Sequence, residues 1–317
     1  MLLKELLKQH LMGSASLLPS AFRLLPSAFC FLPSLQQMRR VKKLIRIAHS
    51  PDSDDAFMFY ALATGKLDTG DYRFEHVLKD IETLNRAAMQ GLYEVSAVSF
   101  HAYAFVQDRY LLLAHGASFG RGYGPMIVAK QALTASDLEK ARLAIPGRLT
   151  TAYLAMKIFN PELEGDVIPF DQIIPSIQEG QFDAGLIIHE GQLTYLEDGL
   201  RKVVDLGEWW QKEHSLPLPL GGNIIRRDLG TTAVREVSSL ISESIRYGLE
   251  NRAQALEYAA QFARGLRPDL MDRFVGMYVN DLTVDYSDEG RQAVQSLLDE
   301  AYTKGILKRR VIAEYAS

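Results

Sequence analysis

Phe170-Asp-Gln-Ile-Ile-Pro-Ser-Ile-Gln-Glu-Gly-Gln-Phe-Asp-Ala-Gly-Leu-Ile-Ile188 is the stretch on which the fold turns. Asp171 has the chemistry of an N-cap for a helix over 172–179, and Gly180 supplies its stop. Residues 184–188 are then a short, wholly apolar run, the signature of a strand buried on both faces. His189 follows at the carboxyl end of that strand, the end at which open α/β sheets bind ligands.

The same alternation continues on either side. Upstream, Leu143-Ala-Ile-Pro146 reads as a strand that turns at Gly147 into a helix from about Thr150 to Phe159, and 167–169 as a further strand. Nearer the amino terminus, 44–47 is the first strand. The turn Ser50-Pro-Asp-Ser-Asp-Asp55 opens an apolar helix over 56–67, with carboxylates where the helix dipole favours them. A strand over 72–77, a helix over 81–90, a strand over 95–99 and a mixed stretch over 102–110 complete this part. After the Pro-rich Leu216-Pro-Leu-Pro-Leu-Gly-Gly222, residues 223–226 read as a returning strand, and 231–307 are almost wholly helical.

Short β-branched runs alternating with amphipathic helices imply parallel βαβ units. The expected fold is α/β with two lobes and an interlobe cleft. Residues 41–128 and 224–317 form a discontinuous first lobe, and 129–223 an inserted second one. The two crossings, 125–129 and 222–226, are the expected hinge. Ser50, Ser99, Gly147 and His189 then fall at strand ends facing one shared cleft.

Composition narrows the function. The 317 residues, 47% hydrophobic, suffice to bury a core in each of two lobes. With 35 basic against 39 acidic side chains there is no basic stripe for nucleic acid or an anionic membrane. One cysteine, Cys30, excludes a disulfide framework and any multi-thiolate metal site, and fits a reducing, cytoplasmic compartment. Residues 1–40 stand apart. Leu17-Leu-Pro-Ser-Ala-Phe22 recurs as Leu24-Leu-Pro-Ser-Ala-Phe29, and its prolines break any secretory helix. They are expected to be a low-complexity extension, disordered or not native, with translation beginning at Met38.

The 170–186 segment is similar to the second-lobe helix and strand of type II periplasmic binding proteins. More specific are Ser50-Pro-x-x-x-Asp55, Asp80-Ile-Glu-Thr-Leu-Asn85, Gly120-Arg-Gly-Tyr-Gly-Pro125, Pro146-Gly-Arg-Leu-Thr-Thr-Ala152, Gly185-Leu-Ile-Ile-His-Glu190 and Val204-Asp-Leu-Gly-Glu-Trp-Trp210. Together, in this order, they resemble the 1,4-dihydroxy-6-naphthoate synthases of the futalosine route to menaquinone. That resemblance implies a lyase acting on cyclic de-hypoxanthine futalosine, an aromatic carboxylate, without metal or organic cofactor. It implies His189 as proton acceptor and substrate contacts at Ala97, Val98 and Ser99 and at Thr151 and Ala152. Asp52-Ser-Asp-Asp55 departs from the family's Cys-Pro-Asn-Asp form. Ala97 stands where a lysine can occur, so a carboxylate held by that lysine needs another partner here.

The residues support part of this independently. Imidazole titrates near operating pH, as a general base requires, and His189 sits at a predicted cleft. His49 and His101 lie beside other strand ends, where packing is the commoner role. Asp54 and Asp55 suit a sugar hydroxyl or a helix start. Thr150 and Thr151 suit capping or, through free N–H groups beside Gly147, an anion. The helix start is the expected carboxylate site, ahead of Arg121 and Arg148. Gly120 to Gly124 lack dinucleotide-binding spacing, and Trp209 and Trp210 read as packing residues. Rival readings are a chorismate dehydratase of the same pathway and a non-enzymatic solute-binding protein for a small carboxylate; a homodimer is the assembly kept open.

Overall fold

The computed structural model describes residues 41–263 and 265–316; the expectations for 1–40 lie outside them. The chain begins with β1 (Lys43–His49), the short helices α1 (Ser53–Met58) and α2 (Tyr60–Ala63), β2 (Tyr72–Leu78), α3 (Ile81–Met89), β3 (Val95–Ser99), α4 (Phe100–Val106), β4 (Tyr110–Leu112) and β5 (Ser118–Gly120). It then builds β6 (Met126–Ala129), β7 (Leu143–Ile145), α5 (Thr151–Phe159), β8 (Asp166–Val167), α6 (Ile173–Gln178), β9 (Ala184–Ile187), α7 (Gly191–Thr194), β10 (Arg201–Asp205) and α8 (Leu206–His214). Strand β11 (Leu218–Arg226) leads into α9 (Thr231–Glu250), α10 (Arg252–Ala259), α11 (Pro268–Tyr278), α12 (Asp281–Val284) and α13 (Ser287–Thr303).

Two sheets organise two lobes. One runs β2-β1-β3-β11-β4 with β5 also on β11; the other runs β10-β6-β9-β7-β8. The βαβ reading holds for one side of each sheet: β1 is parallel to β2 and β3, and β7 to β8 and β9. The strands next to the crossings run the other way. β6 is antiparallel to β9 and β10, and β11 to β3, β4 and β5. Strand β6 lies wholly in the second sheet, and β11 wholly in the first. Strand β3 is buried at every position, as a strand covered on both faces must be.

Several local expectations are corrected. The helix expected over 56–67 starts at Ser53 and breaks at Phe59, whose φ/ψ of −95°/6° leaves the helical region. Asp171 caps nothing: a 3-10 turn over Phe170–Gln172 precedes α6, whose start has no side-chain cap. Residues 218–222 of the Pro-rich segment are the first half of β11, where Pro219 sits at the register shift opposite β5, a place that tolerates a missing donor. Elsewhere capping works as the residues suggest. Asp80 accepts from the Thr83 N–H at 2.9 Å, and Asp205 from those of Gly207 and Glu208 at 2.9 and 3.1 Å. Helix α9 buries Val234, Val237, Ile241 and Ile245, a stripe at helical spacing laid on the first lobe's core.

Candidate active site

The carboxyl ends of β1, β3 and β9 and the start of α5 converge on one cavity between the lobes. Asp54 and Asp55, in the first turn of α1, form its acidic end. Oδ2 of Asp55 accepts from the Ser50 N–H at 2.7 Å. Behind that peptide, His49 Nδ1 lies 2.9 Å from the Ser50 carbonyl oxygen, and its Nε2 3.0 Å from Nδ1 of His76. A carbonyl only accepts, so His49 carries its proton on Nδ1. Its Nε2 therefore accepts, and His76 donates from Nδ1. Both rings are neutral in this arrangement. Burial, reinforced by His76, pushes His49 down to about 3, against the pull of the Ser50 carbonyl; burial takes His76 to about 4.

The carboxyls shift the other way. Asp54 and Asp55 keep some surface open to the cavity yet sit deep in the protein. Burial raises Asp55 to about 6 although the Ser50 hydrogen bonds oppose it. Burial first, then the charges of Asp55, Asp52 and Glu190, holds Asp54 well above the usual carboxylate range. This end of the cavity can hold and move protons near neutral pH.

The same cavity also presents donors. Thr150 caps α5, its Oγ1 accepting from the Tyr153 N–H at 3.1 Å and donating to the Gly147 carbonyl at 2.8 Å. Its hydroxyl is spent. The next two residues, Thr151 and Ala152, begin the helix on the cavity wall, where N–H groups have no partner within the helix. Ser99, at the end of β3, lies on the same wall. Among the described residues no lysine, arginine or histidine lines the cavity. Arg121 pairs with Glu289 at 2.6 Å and Arg148 with Glu164 at 3.2 Å, both outside it.

Buried polar contacts join the lobes around the cavity. Tyr278 of α11 donates to Gln192 of α7 at 2.6 Å. On α3, Glu82 Oε2 accepts from the Leu149 N–H at 3.3 Å, and the Asn85 amide donates to the Leu149 carbonyl at 3.3 Å. Gly147 packs so closely on Glu82 that a Cβ there would stand 2.3 Å from Oε2.

Of the residues singled out in the sequence, Ala97, Val98, Ser99, Thr150, Thr151, Ala152 and Asp55 all line this cavity. Gly147 does not: its close approach is to Glu82. His101 stacks on Tyr153, its backbone N–H reaching Thr151 Oγ1 at 3.4 Å. His189 also stands off the wall in this conformation. Its neighbour Ile188 lines the cavity, whereas the imidazole opens on a second concavity with Asp171 and Glu190. There Nδ1 accepts from the Gly191 N–H at 2.8 Å and Nε2 lies 3.2 Å from the Phe170 carbonyl oxygen, which sets the Nε2–H tautomer. Sequence reasoning missed Tyr278 and Gln192. Gln192 could have been found, three residues past His189; Tyr278, remote on α11, gave no signal.

With this geometry in hand, the relatives are informative. A family described as menaquinone biosynthesis matches residues 45–303. This chain belongs to that family. Within it, the chain is similar to a 1,4-dihydroxy-6-naphthoate synthase of Thermus thermophilus, 40% identical over 83% of this chain and 95% of that protein. A protein of the same description from Streptomyces coelicolor is 34% identical over 83% and 94%. Among solved structures, an Archaeoglobus fulgidus protein superposes with a TM-score of 0.80 at 47% identity, covering 83% of this chain and 98% of that one. The alkanesulfonate-binding protein of Xanthomonas axonopodis, at 16% identity, covers 85% and 96% with a TM-score of 0.65. That last likeness speaks for the fold alone: the family is built on the two-lobed periplasmic-binding-protein architecture.

Proposed function

We propose that this protein is a carbon-carbon lyase that converts cyclic de-hypoxanthine futalosine to 1,4-dihydroxy-6-naphthoate in menaquinone biosynthesis. The observation that carries the reading is 40% identity across 95% of a relative described as that synthase. The cavity suits such a ligand. An aromatic carboxylate fits the donor end at Ser99, Thr151 and Ala152, where helix N–H groups and the dipole favour an anion without a cation. The sugar hydroxyls then face Asp54 and Asp55. In a retro-aldol-like fragmentation a base takes a hydroxyl proton, the oxygen becomes a carbonyl, and the electron pair of the broken C–C bond passes to the aromatic fragment. That chemistry calls for no metal or organic cofactor. A biosynthetic role fits the cytoplasm, and no helix among the described residues is long and apolar enough to cross a membrane.

His189 is the proposed base. Its backbone adjoins Ile188 on the wall, and turning the ring inward gives up hydrogen bonds to Gly191 and Phe170, a cost of about 1–3 kcal/mol. A second reading rests on Asp55, which already lines the cavity with its carboxyl raised to about 6. The deciding experiment feeds the futalosine substrate to wild type, His189→Ala and Asp55→Asn and follows dihydroxynaphthoate by mass spectrometry. His189→Ala is expected to lose about a hundredfold or more in kcat. An active His189→Ala beside an inactive Asp55→Asn transfers the role to Asp55. A wild type that makes no dihydroxynaphthoate overturns the activity itself, and release of a dehydrated product from chorismate instead assigns the sister reaction.

A further inference from the structure

The Asp80-Ile-Glu-Thr-Leu-Asn85 motif has no part in the chemistry above, yet its last residue is completely buried between the two walls of the cleft. Three hydrogen bonds define the Asn85 side chain. Oδ1 accepts from the Ser99 N–H at 2.9 Å, and Nδ2 donates to the Leu149 carbonyl at 3.3 Å and to Ser99 Oγ at 3.2 Å. The orientation of the amide is not ambiguous. A backbone N–H can only donate and a backbone carbonyl can only accept, so the oxygen must face Ser99 N and the NH₂ must face Leu149 O. The second hydrogen of the NH₂ then meets Ser99 Oγ, making that oxygen an acceptor.

A hydroxyl that accepts from one side retains its own hydrogen for another. Ser99 stands before α4 without capping it, and no acceptor for that hydrogen is found among the described residues. Ser99 is 3% exposed and lines the cavity. We propose that Asn85 is a positioning residue that, by donating to Ser99 Oγ, leaves the Ser99 hydrogen directed at the anionic group of the ligand, while tying Ser99 to the loop that opens α5. This rests on the reading of that end of the cavity as a carboxylate site. It also names a selectivity device. With Asn85 in place one lone pair of the Ser99 oxygen is engaged, so the wall offers a carboxylate oxygen a ready donor, whereas a ligand N–H must compete with Asn85 for the same oxygen.

The test uses two probes of equal shape, 2-naphthoate and 2-naphthamide, titrated calorimetrically into the full-length protein. Wild type is expected to bind the naphthoate at least about tenfold more tightly, the scale of one charge-assisted hydrogen bond. Asn85→Asp removes the donor, turns the Ser99 hydroxyl toward the new carboxylate and should abolish the preference. Asn85→Leu, which adds no charge, should cut it at least about threefold without repelling the anion. Ser99→Ala should lose it to the same degree, and adding Asn85→Leu to Ser99→Ala should lose nothing more. A merely structural role would weaken both probes alike and leave their ratio intact. If wild type shows no preference, the carboxylate reading fails and this inference with it. If wild type prefers the naphthoate and folded Asn85→Leu keeps that ratio, the carboxylate reading stands and Asn85 has no such role. Should the Asn85 variants not fold, retention of the preference by Ser99→Ala overturns the proposal alone.

Discussion

Replacing Gly147 by alanine adds one methyl group where the lobes touch. The new Cβ would stand 2.3 Å from Oε2 of Glu82, 2.6 Å from its Cδ and 2.9 Å from its Cγ, against ordinary contact of 3.4 Å or more. The carboxylate is not free to swing away: Oε1 is held by Arg86 at 2.8 Å, and Oε2 by the Leu149 N–H at 3.3 Å. Overpacking of this kind costs about 1–3 kcal/mol, and losing the Leu149 bond adds about 1 kcal/mol. At roughly 2–4 °C per kcal/mol for a protein of this size, Tm should fall on the order of 10 °C. Calorimetric melting of Gly147→Ala, Glu82→Ala and the double variant checks the cause. Glu82→Ala alone should cost little more than its hydrogen bonds, and the double variant should melt near Glu82→Ala, because the side chain that clashes is gone. A Gly147→Ala protein within about 0.5 kcal/mol of wild type, or a double variant as unstable as the two losses added, would refute the close approach.

Thr151→Val should raise KM about tenfold by removing a hydroxyl from the donor end, while Arg121→Ala and Arg148→Ala, paired outside the cavity, should stay within about threefold in steady-state assays. The neutral His49–His76 pair predicts acid sensitivity. Their folded values lie below the ordinary 6.5, so the folded state binds fewer protons than the unfolded one, and stability falls as pH drops from about 6.5 toward 4. Asp55, raised from 3.8 to about 6, acts with the opposite sign in much of that window, so the difference between wild type and His76→Gln is the quantity to measure: the variant's Tm should fall less steeply. Tyr278→Phe leaves Gln192 Oε1 without its buried donor and should cost about 1–3 kcal/mol in thermal unfolding.

How much of this was legible beforehand depended on the range of the interaction involved. The burial of 184–187 follows from an apolar run alone, and Thr150 reveals itself as a cap from the helix behind it. The break at Phe59 was invisible, because an apolar helix and two shorter ones in sequence share the same composition. The returning strand was read only from Asn223, after the Pro-rich segment, and only the partner strand shows that the register shift at Pro219 absorbs a missing donor. Membership of the wall at Ser99 and Thr151 was readable from strand and helix ends. The rotamer that turns His189 toward Gly191 and Phe170 was not, since side-chain direction at a strand end is set by its immediate neighbours. Tyr278 lies 86 residues from its partner Gln192, and no local pattern encodes such a meeting.

A cavity whose lining carries no cationic side chain among the described residues, in a chain of net charge −4, has a kinetic consequence for an anionic ligand. Nothing on the wall draws the ligand in from a distance; the helix-end dipole acts only over about one turn. The ligand approaches against a weakly repulsive field and meets favourable electrostatics only once desolvated inside. Added salt screens the repulsion but not the buried contacts, so the association rate should rise with ionic strength while the dissociation rate stays nearly constant. Such a protein is tuned to hold its ligand long rather than to catch it fast.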